Sequence, residues 1–173
     1  LSIQWKHQFT LPNNGVSDLL ETNYFLDYQG VRFIALNSNV KIDEQMEWLE
    51  TVLKNNPHKW TIAFFHHPLY SATTKRDYPE RRKRWKPLFD KYGVDLALQG
   101  HDHTYARGSE SLYEENLLTG TNIKDATGTV YVVSVSGPKQ YDVKPSWDQY
   151  EVTRHKAGEN KQLFQVISID GNK

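Results

Sequence analysis

Three short apolar runs in the middle of the chain alternate with two stretches of helical periodicity. The runs are residues 31–36 (VRFIAL), 60–65 (WTIAFF) and 94–98 (VDLAL). Their nearly continuous apolar character is typical of strands that are covered on both faces. Between the runs, residues 44–56 and 85–92 carry apolar side chains every three or four positions. The order strand, helix, strand, helix, strand predicts parallel strands joined by right-handed crossovers.

Local signals refine the ends of these elements. The short turn Gln29-Gly30 between residues 23–28 and the first run predicts a β-hairpin. Asp43 is the expected N-cap of the first helix, and Gly93 is expected to end the second helix at its C-terminus. Residues 1–22 contain several turn-forming residues and are expected to be loop-like.

The pattern changes near residue 105. Segments 129–136, 149–154 and 163–169 are predicted strands joined by turns that contain glycine or proline, with no helix between them. We therefore expect an α/β fold in which residues 1–104 form a strand–helix–strand core and residues 105–173 form an antiparallel extension.

Composition narrows the class of protein. The chain has 21 basic and 21 acidic residues and no net formal charge, which argues against a protein that grips a nucleic-acid backbone. No apolar run approaches the roughly 18 residues of a membrane-spanning helix. Because cysteine is absent, disulfides and cysteine-ligated metal sites are excluded, and the cellular compartment stays open.

The candidate chemistry lies where two of the predicted strands end. His66 and His67 follow the second apolar run directly, and His101 and His103 follow the third in a Gly-His-Asp-His sequence. Because the carboxyl ends of neighbouring parallel strands meet at one edge of a sheet, we expect these two groups to form one site. Imidazole nitrogens suit zinc, iron, copper or nickel, so the site is predicted to bind a transition metal.

Other candidates carry less chemistry. The remaining histidines, His7, His58 and His155, have no partner in the pattern and are interpreted as ordinary. Residues 75–86 hold seven basic side chains; Lys75 and Arg76 are expected to rim the site and attract phosphate, whereas residues 81–84 are expected to be a solvated helix start. Tyr105 is a further candidate for substrate contact, with core packing as the alternative.

The segments IAFFHHPLYS and GVDLALQGHDHTYAR resemble the second half of a calcineurin-like metallophosphoesterase, in particular the purple acid phosphatase branch. Residues 63–66 match the family's V-x-x-H motif with alanine in place of valine, and residues 100–103 match G-H-x-H. The resemblance implies part of a two-sheet sandwich with flanking helices, and two divalent or trivalent transition metals (iron, zinc or manganese). It also implies that His66, two residues before a proline, and His101 bind one metal and His103 the other. The residues themselves add His67, Lys75, Arg76 and Tyr105 as candidates for substrate contact, although the family often has histidines in the loop that holds Lys75 and Arg76.

The sequence departs from the family's pattern in one respect. The other ligand motifs of the family, D-x-G, G-D-x-x-Y and G-N-H-D/E, do not occur in these 173 residues. We therefore expect this chain to be the C-terminal portion of a phosphoesterase domain that supplies part of a dinuclear site. Its partner would be the N-terminal half of the same domain, and an apolar sheet face would be left uncovered, through which the chain could also form a homo-oligomer.

The expected function is metal-dependent hydrolysis of phosphate esters. Phosphodiesterase activity is an alternative within the same family, and a non-catalytic binding module that keeps the fold is an alternative of a different class. No nucleic-acid partner is expected. The resemblance slightly favours an extracytoplasmic or secreted location.

Overall fold

The apolar runs form the centre of one mixed sheet. The computed structural model describes residues 5–73, 76–109, 128–143, 153–158 and 161–171. Within these ranges the strands are β1 (Tyr24–Tyr28), β2 (Val31–Ala35), β3 (Trp60–Phe65), β4 (Leu96–Gln99), β5 (Tyr105–Ser109), β6 (Val130–Val133) and β7 (Thr153–Gly158). The helices are α1 (Trp5–Gln8), α2 (Gln45–Lys54) and α3 (Pro79–Tyr92), and Ser17–Leu19 forms a 3₁₀ turn.

The strand order is β1-β2-β3-β4-β6-β5-β7. β2, β3 and β4 pair in parallel, as the alternation of strands and helices predicts, and β6 extends this parallel set beside β4. β1 pairs antiparallel with β2, and β5 pairs antiparallel with both β6 and β7. The predicted α/β fold class is confirmed, and the division of the chain at residue 104 stays a prediction.

Two turns follow from local backbone chemistry. Gln29 and Gly30, between β1 and β2, both have positive φ (47° and 80°), as the predicted two-residue hairpin requires. Gly93 ends α3 in the left-handed conformation, with φ 64°. Its backbone N–H donates a hydrogen bond to the carbonyl of Phe89. Both signals were readable in the sequence because few residue types tolerate this backbone geometry.

Several element boundaries differ from the prediction. Glu44, rather than Asp43, occupies the N-cap of α2, because the Asp43 carboxylate pairs with Arg84 of α3 instead. α3 begins at Pro79, six residues before the first predicted apolar position. Residues 163–169 were predicted to be a strand and form none. Of the predicted segment 149–154, residues 149–152 lie outside the described residues, and residues 153–158 form β7.

The predicted solvated face of residues 81–84 is wrong for two arginines. Arg81 donates a hydrogen bond to the carbonyl of Ser38, and Arg82 donates to the carbonyl of Leu69 and pairs with Asp77. Lys83, in contrast, keeps 70% of its side chain exposed. The basic start of α3 therefore fastens the helix to the loops that follow β2 and β3.

The main core lies between one face of the sheet and the helices α2 and α3. The alternate positions Ile34, Ala63, Phe65 and Ala97 point to this face and are buried. They pack against side chains of both helices, including Leu49, Leu53, Trp85 and Phe89. No helix among the described residues is long and apolar enough to cross a bilayer.

The opposite face of the sheet is covered less completely. Phe33 and Phe64 are only half-buried, and cavities of about 770 and 500 Å³ lie along this face. Residues 165–169 border the second cavity, and Phe164 and Val166 beside it are largely exposed. Among the described residues, this face is therefore covered less than the face under α2 and α3, and its cover by a preceding half of the domain stays a prediction.

A buried arginine joins the edge hairpin to α2. Arg32 lies in β2 and is 5% exposed. Its guanidinium donates two hydrogen bonds to Asp27 of β1, at 2.8 and 2.7 Å, and a third to the carbonyl of Val52 at 2.7 Å. It also lies over the ring of Phe25. The bonds to Arg32 hold the pKa of Asp27 below its ordinary value, against the opposing effect of partial burial.

We expect Asp27→Asn to lower the free energy of unfolding by about 2 kcal/mol at pH 7, because it leaves a buried guanidinium without its anion. The depressed pKa of Asp27 means that this contribution is complete above the ordinary value of 3.8 and is lost as the pH falls through the folded-state pKa. Urea unfolding of both proteins between pH 7 and pH 3 measures the difference.

The matched control is Asp18→Asn, since the exposed Asp18 pairs with Lys41 at the surface. This control should unfold like the wild type at every pH. A loss for Asp27→Asn that is no larger than for Asp18→Asn, or that grows as the pH falls, would contradict the role of Arg32.

Candidate metal centre

The parallel pairing of β3 and β4 places the candidate ligands side by side. Phe65 is the register partner of Gln99, so His66 and Gly100 leave the sheet together. The amide of Gly100 continues the ladder by donating to the carbonyl of His66 at 3.0 Å. His101 follows directly. The two strand ends therefore converge as the sequence predicts, although 35 residues separate His66 from His101.

Three imidazoles meet at this edge. His66, His67 and His101 each offer a ring nitrogen, and these nitrogens lie within 4.8 Å of one another. Nε2 of His66 and Nδ1 of His101 are 2.9 Å apart. The ring of His67 packs against both of the others, with centroid distances of 4.9 and 4.6 Å. The sequence favours His66 over its neighbour His67 as the metal ligand, and the structure places both at the cluster.

The backbone at the cluster is strained. His101 has φ 67°, the left-handed region that costs an ordinary L-residue about 1 kcal/mol or more. Gly100 lies next to it, and the position of a Cβ there would be 3.4 Å from Nδ1 of His66, an ordinary van der Waals distance. Together, the two residues turn the chain sharply enough to bring Nδ1 of His101 against His66.

Asp102 stabilises the turn at His101 from its buried side. It is 1% exposed, and its carboxylate bonds the loop after β3 rather than the imidazoles. Its Oδ2 accepts hydrogen bonds from the Ser71 hydroxyl at 2.7 Å and from the Ala72 amide at 2.9 Å. Burial raises the pKa of Asp102, and these bonds oppose the rise. The carboxyl thus ties the His101 turn to the loop that follows β3.

His67 is held by a residue that the sequence analysis missed. The Ser38 hydroxyl accepts the backbone N–H of His67 at 3.0 Å and lies 3.0 Å from Nδ1 of the same residue. When the hydroxyl donates to Nδ1, the ring proton resides on Nε2. Ser38 belongs to a loop organised by the fully buried Gln45, whose amide bonds the backbone of Asn37 and Lys41.

The imidazoles are kept neutral. Burial lowers the pKa of His67 to about 4, with Arg81 as the next cause. Burial likewise lowers the pKa of His101 to about 4, with Arg76 as the next cause. Metal binding requires the lone pair of a neutral ring. Two nitrogens bound to one tetrahedral zinc ion at about 2.1 Å each stand about 3.4 Å apart, so the 2.9 Å between Nε2 of His66 and Nδ1 of His101 needs to widen only by about 0.5 Å. The donor set therefore fits a transition metal.

His103 lies at the same end of the sheet but outside this group of three. Its Nδ1 donates to the carbonyl of Lys139 at 3.0 Å, and its ring packs on Tyr141 at 4.7 Å. A neutral ring that donates from Nδ1 keeps the lone pair on Nε2, which is the arrangement of a metal-ligating histidine. Arg76 lies beside it: its Nη1 donates to the carbonyl of His101 at 2.7 Å.

The other predicted site residues have different outcomes. Lys75 lies outside the described residues. Tyr105 is half-buried and borders the apolar cavity with Ile62 and Leu98. The sequence analysis missed Ser38 and Tyr141, which reach the site from 29 and 65 residues away along the chain from their partners His67 and Arg76. No motif links such distant positions.

Comparisons with known proteins identify the family. The family model described as calcineurin-like phosphoesterase matches residues 2–105. The chain therefore belongs to the calcineurin-like phosphoesterases, and the predicted resemblance is confirmed. The matched range includes every histidine of the cluster.

The similar proteins named here are acid phosphatases. Purple acid phosphatase 15 of Arabidopsis thaliana is 28% identical over 141 residues, which cover 77% of this chain and 25% of that protein. Human acid phosphatase type 7 is 32% identical over 83 residues, covering 38% of this chain and 19% of that protein. The solved structure of purple acid phosphatase PPD1 from yellow lupin seeds has a TM-score of 0.59 and 25% identity, covering 79% of this chain and 26% of that chain. The chain thus spans about a quarter of the plant relatives' length.

The strained backbone at His101 generates a stability prediction. Both His101→Gly and His101→Ala remove the imidazole, but only glycine relieves the left-handed strain at φ 67°. We expect His101→Gly to be more stable than His101→Ala by about 1 kcal/mol in urea unfolding without metal. An alanine variant as stable as the glycine variant would show that the turn carries no strain.

Proposed function

We propose that the protein containing this chain hydrolyses phosphate esters at a dinuclear metal centre, and that this chain supplies part of that centre. The observation that carries the proposal is the convergence of His66, His67 and His101 at the ends of β3 and β4. Membership of the calcineurin-like phosphoesterases and similarity to acid phosphatases support phosphoester hydrolysis as the reaction class.

His66 and His101 would hold one metal through their facing nitrogens, and Nε2 of His103 would hold the second. Iron, zinc and manganese suit this donor set. When bound, a pair of such ions supplies Lewis-acid stabilisation and a nucleophile of lowered pKa. The carboxylate and asparagine ligands of the family have no counterpart in these residues, so we propose that a preceding half of the same domain contributes them.

The remaining side chains would act on the substrate directly. With its ring proton on Nε2, His67 can donate a hydrogen bond to a phosphoryl or leaving-group oxygen. Arg76 adds positive charge beside the cluster, which attracts a phosphate dianion. Lys75 would follow Arg76 in this role, and Tyr105 would contact the organic part of a substrate that reaches the apolar cavity.

Two alternatives remain within this proposal. A phosphodiesterase needs room for a second ester group, and the cleft of about 770 Å³ beside His66 and Ser38 offers it. A binding module that keeps the metal without turnover would need the same histidines. An extracytoplasmic location and a homo-oligomer stay predictions, as does the absence of a nucleic-acid partner.

The experiment measures hydrolysis of an aryl phosphate by the full-length protein. Chelation should abolish the rate, and a transition metal should restore it. His101→Ala should lower kcat about 1000-fold, because one of the two metals loses a ligand. His67→Ala should cost about tenfold, as expected for one hydrogen bond. Lys83→Ala is the control and should stay within about twofold, since this side chain is largely exposed and pairs with the exposed Glu80.

The order of the losses decides between the assignments. If His67→Ala is the most damaging change, His67 rather than His66 is the ligand that partners His101. If the metal-loaded wild type hydrolyses neither a mono- nor a diester, the enzyme proposal is wrong and the binding module replaces it.

A further inference from the structure

Arg76, to which the proposed function gives a role in attracting phosphate, belongs to a cluster beside the histidines whose other members have no part in that chemistry. Two cations lie over the ring of Tyr141. The Arg76 guanidinium is 4.7 Å from the ring centroid, and the Lys139 ammonium is 5.3 Å from it. The same ring packs on His103 at 4.7 Å. Two positive side chains thus share one aromatic platform next to a candidate ligand.

The platform is fixed to the site by hydrogen bonds. The amide of Tyr141 donates to the carbonyl of His103 at 2.9 Å, and His103 donates in return to the carbonyl of Lys139. Arg76 bonds the carbonyl of His101 and, through Nη2 at 3.3 Å, the phenol oxygen of Tyr141. Movement of the 139–141 segment would therefore require these contacts with the His101–His103 turn to break.

Within the part of the chain that the structure describes, one carboxylate forms an ion pair with the cations of this cluster. That carboxylate is Asp102, whose Oδ1 lies 3.9 Å from Nη1 of Arg76 and whose side chain is buried beneath the turn. Lys139 is exposed. Like charges held on one ring repel each other unless an anion lies between them or beside them. The arrangement favours binding of a negatively charged group from solvent.

We propose that Arg76 and Lys139, positioned by Tyr141, form a second anion-binding subsite that takes a negatively charged group of the substrate other than the phosphoryl group that is cleaved. The inference rests on the proposed function and narrows its substrate class to phosphate esters that carry a second anionic group, such as a carboxylate or a further phosphoryl group. Lys139 contacts this group directly, whereas Tyr141 is a positioning residue that acts through the two cations.

The test uses a matched pair of non-hydrolysable ligands, so that binding is measured without turnover. Phenylphosphonate and 4-carboxyphenylphosphonate differ only in the distal carboxylate. Titration calorimetry with the metal-loaded full-length protein gives the ratio of their dissociation constants. We expect the wild type to prefer the carboxylated ligand about five- to tenfold at low salt, and the preference to shrink as the ionic strength rises.

Four variants separate direct contact from positioning. Lys139→Gln and Tyr141→Leu should bring the ratio close to one, whereas Tyr141→Phe keeps the aromatic platform and should retain most of the preference. Lys83→Gln, a lysine on the exposed side of α3, is the charge-matched control and should leave the ratio unchanged.

The outcomes distinguish this inference from the proposed function. Equal binding of the two phosphonates by the wild type, or a preference that survives Lys139→Gln, overturns the subsite alone. Binding of neither phosphonate overturns the proposed function, and the subsite with it. Loss of the preference in Tyr141→Phe as well as in Tyr141→Leu would overturn the positioning role of the ring.

Discussion

The parallel register between β3 and β4 is the constraint on which the site depends. Parallel strands end at the same edge of the sheet, and the pairing of Phe65 with Gln99 brings both chain exits to the same level. A shift by one residue would turn every side chain of β4 to the other face and separate His66 from His101. Burial of Ala63, Phe65 and Ala97 under α2 and α3 fixes this register, so the packing of the core sets the geometry of the cluster.

Around the cluster, buried polar groups hold loops that the core does not touch. Asp102 joins the His101 turn to the loop after β3, and Gln45 organises the loop that carries Ser38. Each of these contacts links segments distant in sequence through a side chain with little or no exposure. Arg76 and Arg81 add positive charge beside the imidazoles, which together with burial keeps His67 and His101 neutral. Stability and ligand chemistry therefore depend on the same few contacts.

Sequence patterns predicted what local physics decides. The hairpin at Gln29-Gly30, the end of α3 at Gly93 and the parallel order of the apolar runs each depend on backbone preference or periodicity within a few residues. The contacts of Ser38 with His67 and of Tyr141 with Arg76 depend on tertiary packing, so no periodicity announces them. The prediction that Asp43 is the N-cap of α2 is wrong, because its carboxylate forms an ion pair with Arg84 of α3 instead. β6 joined the parallel set beside β4, where turn signals alone suggested only antiparallel strands.

The central claim is that His66 and His101 bind the same metal ion. Anomalous diffraction from crystals of the full-length protein, collected above and below the absorption edge of the bound metal, tests it most directly. The account predicts an anomalous peak within bonding distance, about 2.0–2.2 Å, of both Nε2 of His66 and Nδ1 of His101. A metal-replete crystal whose anomalous peaks all lie away from these two nitrogens would contradict it.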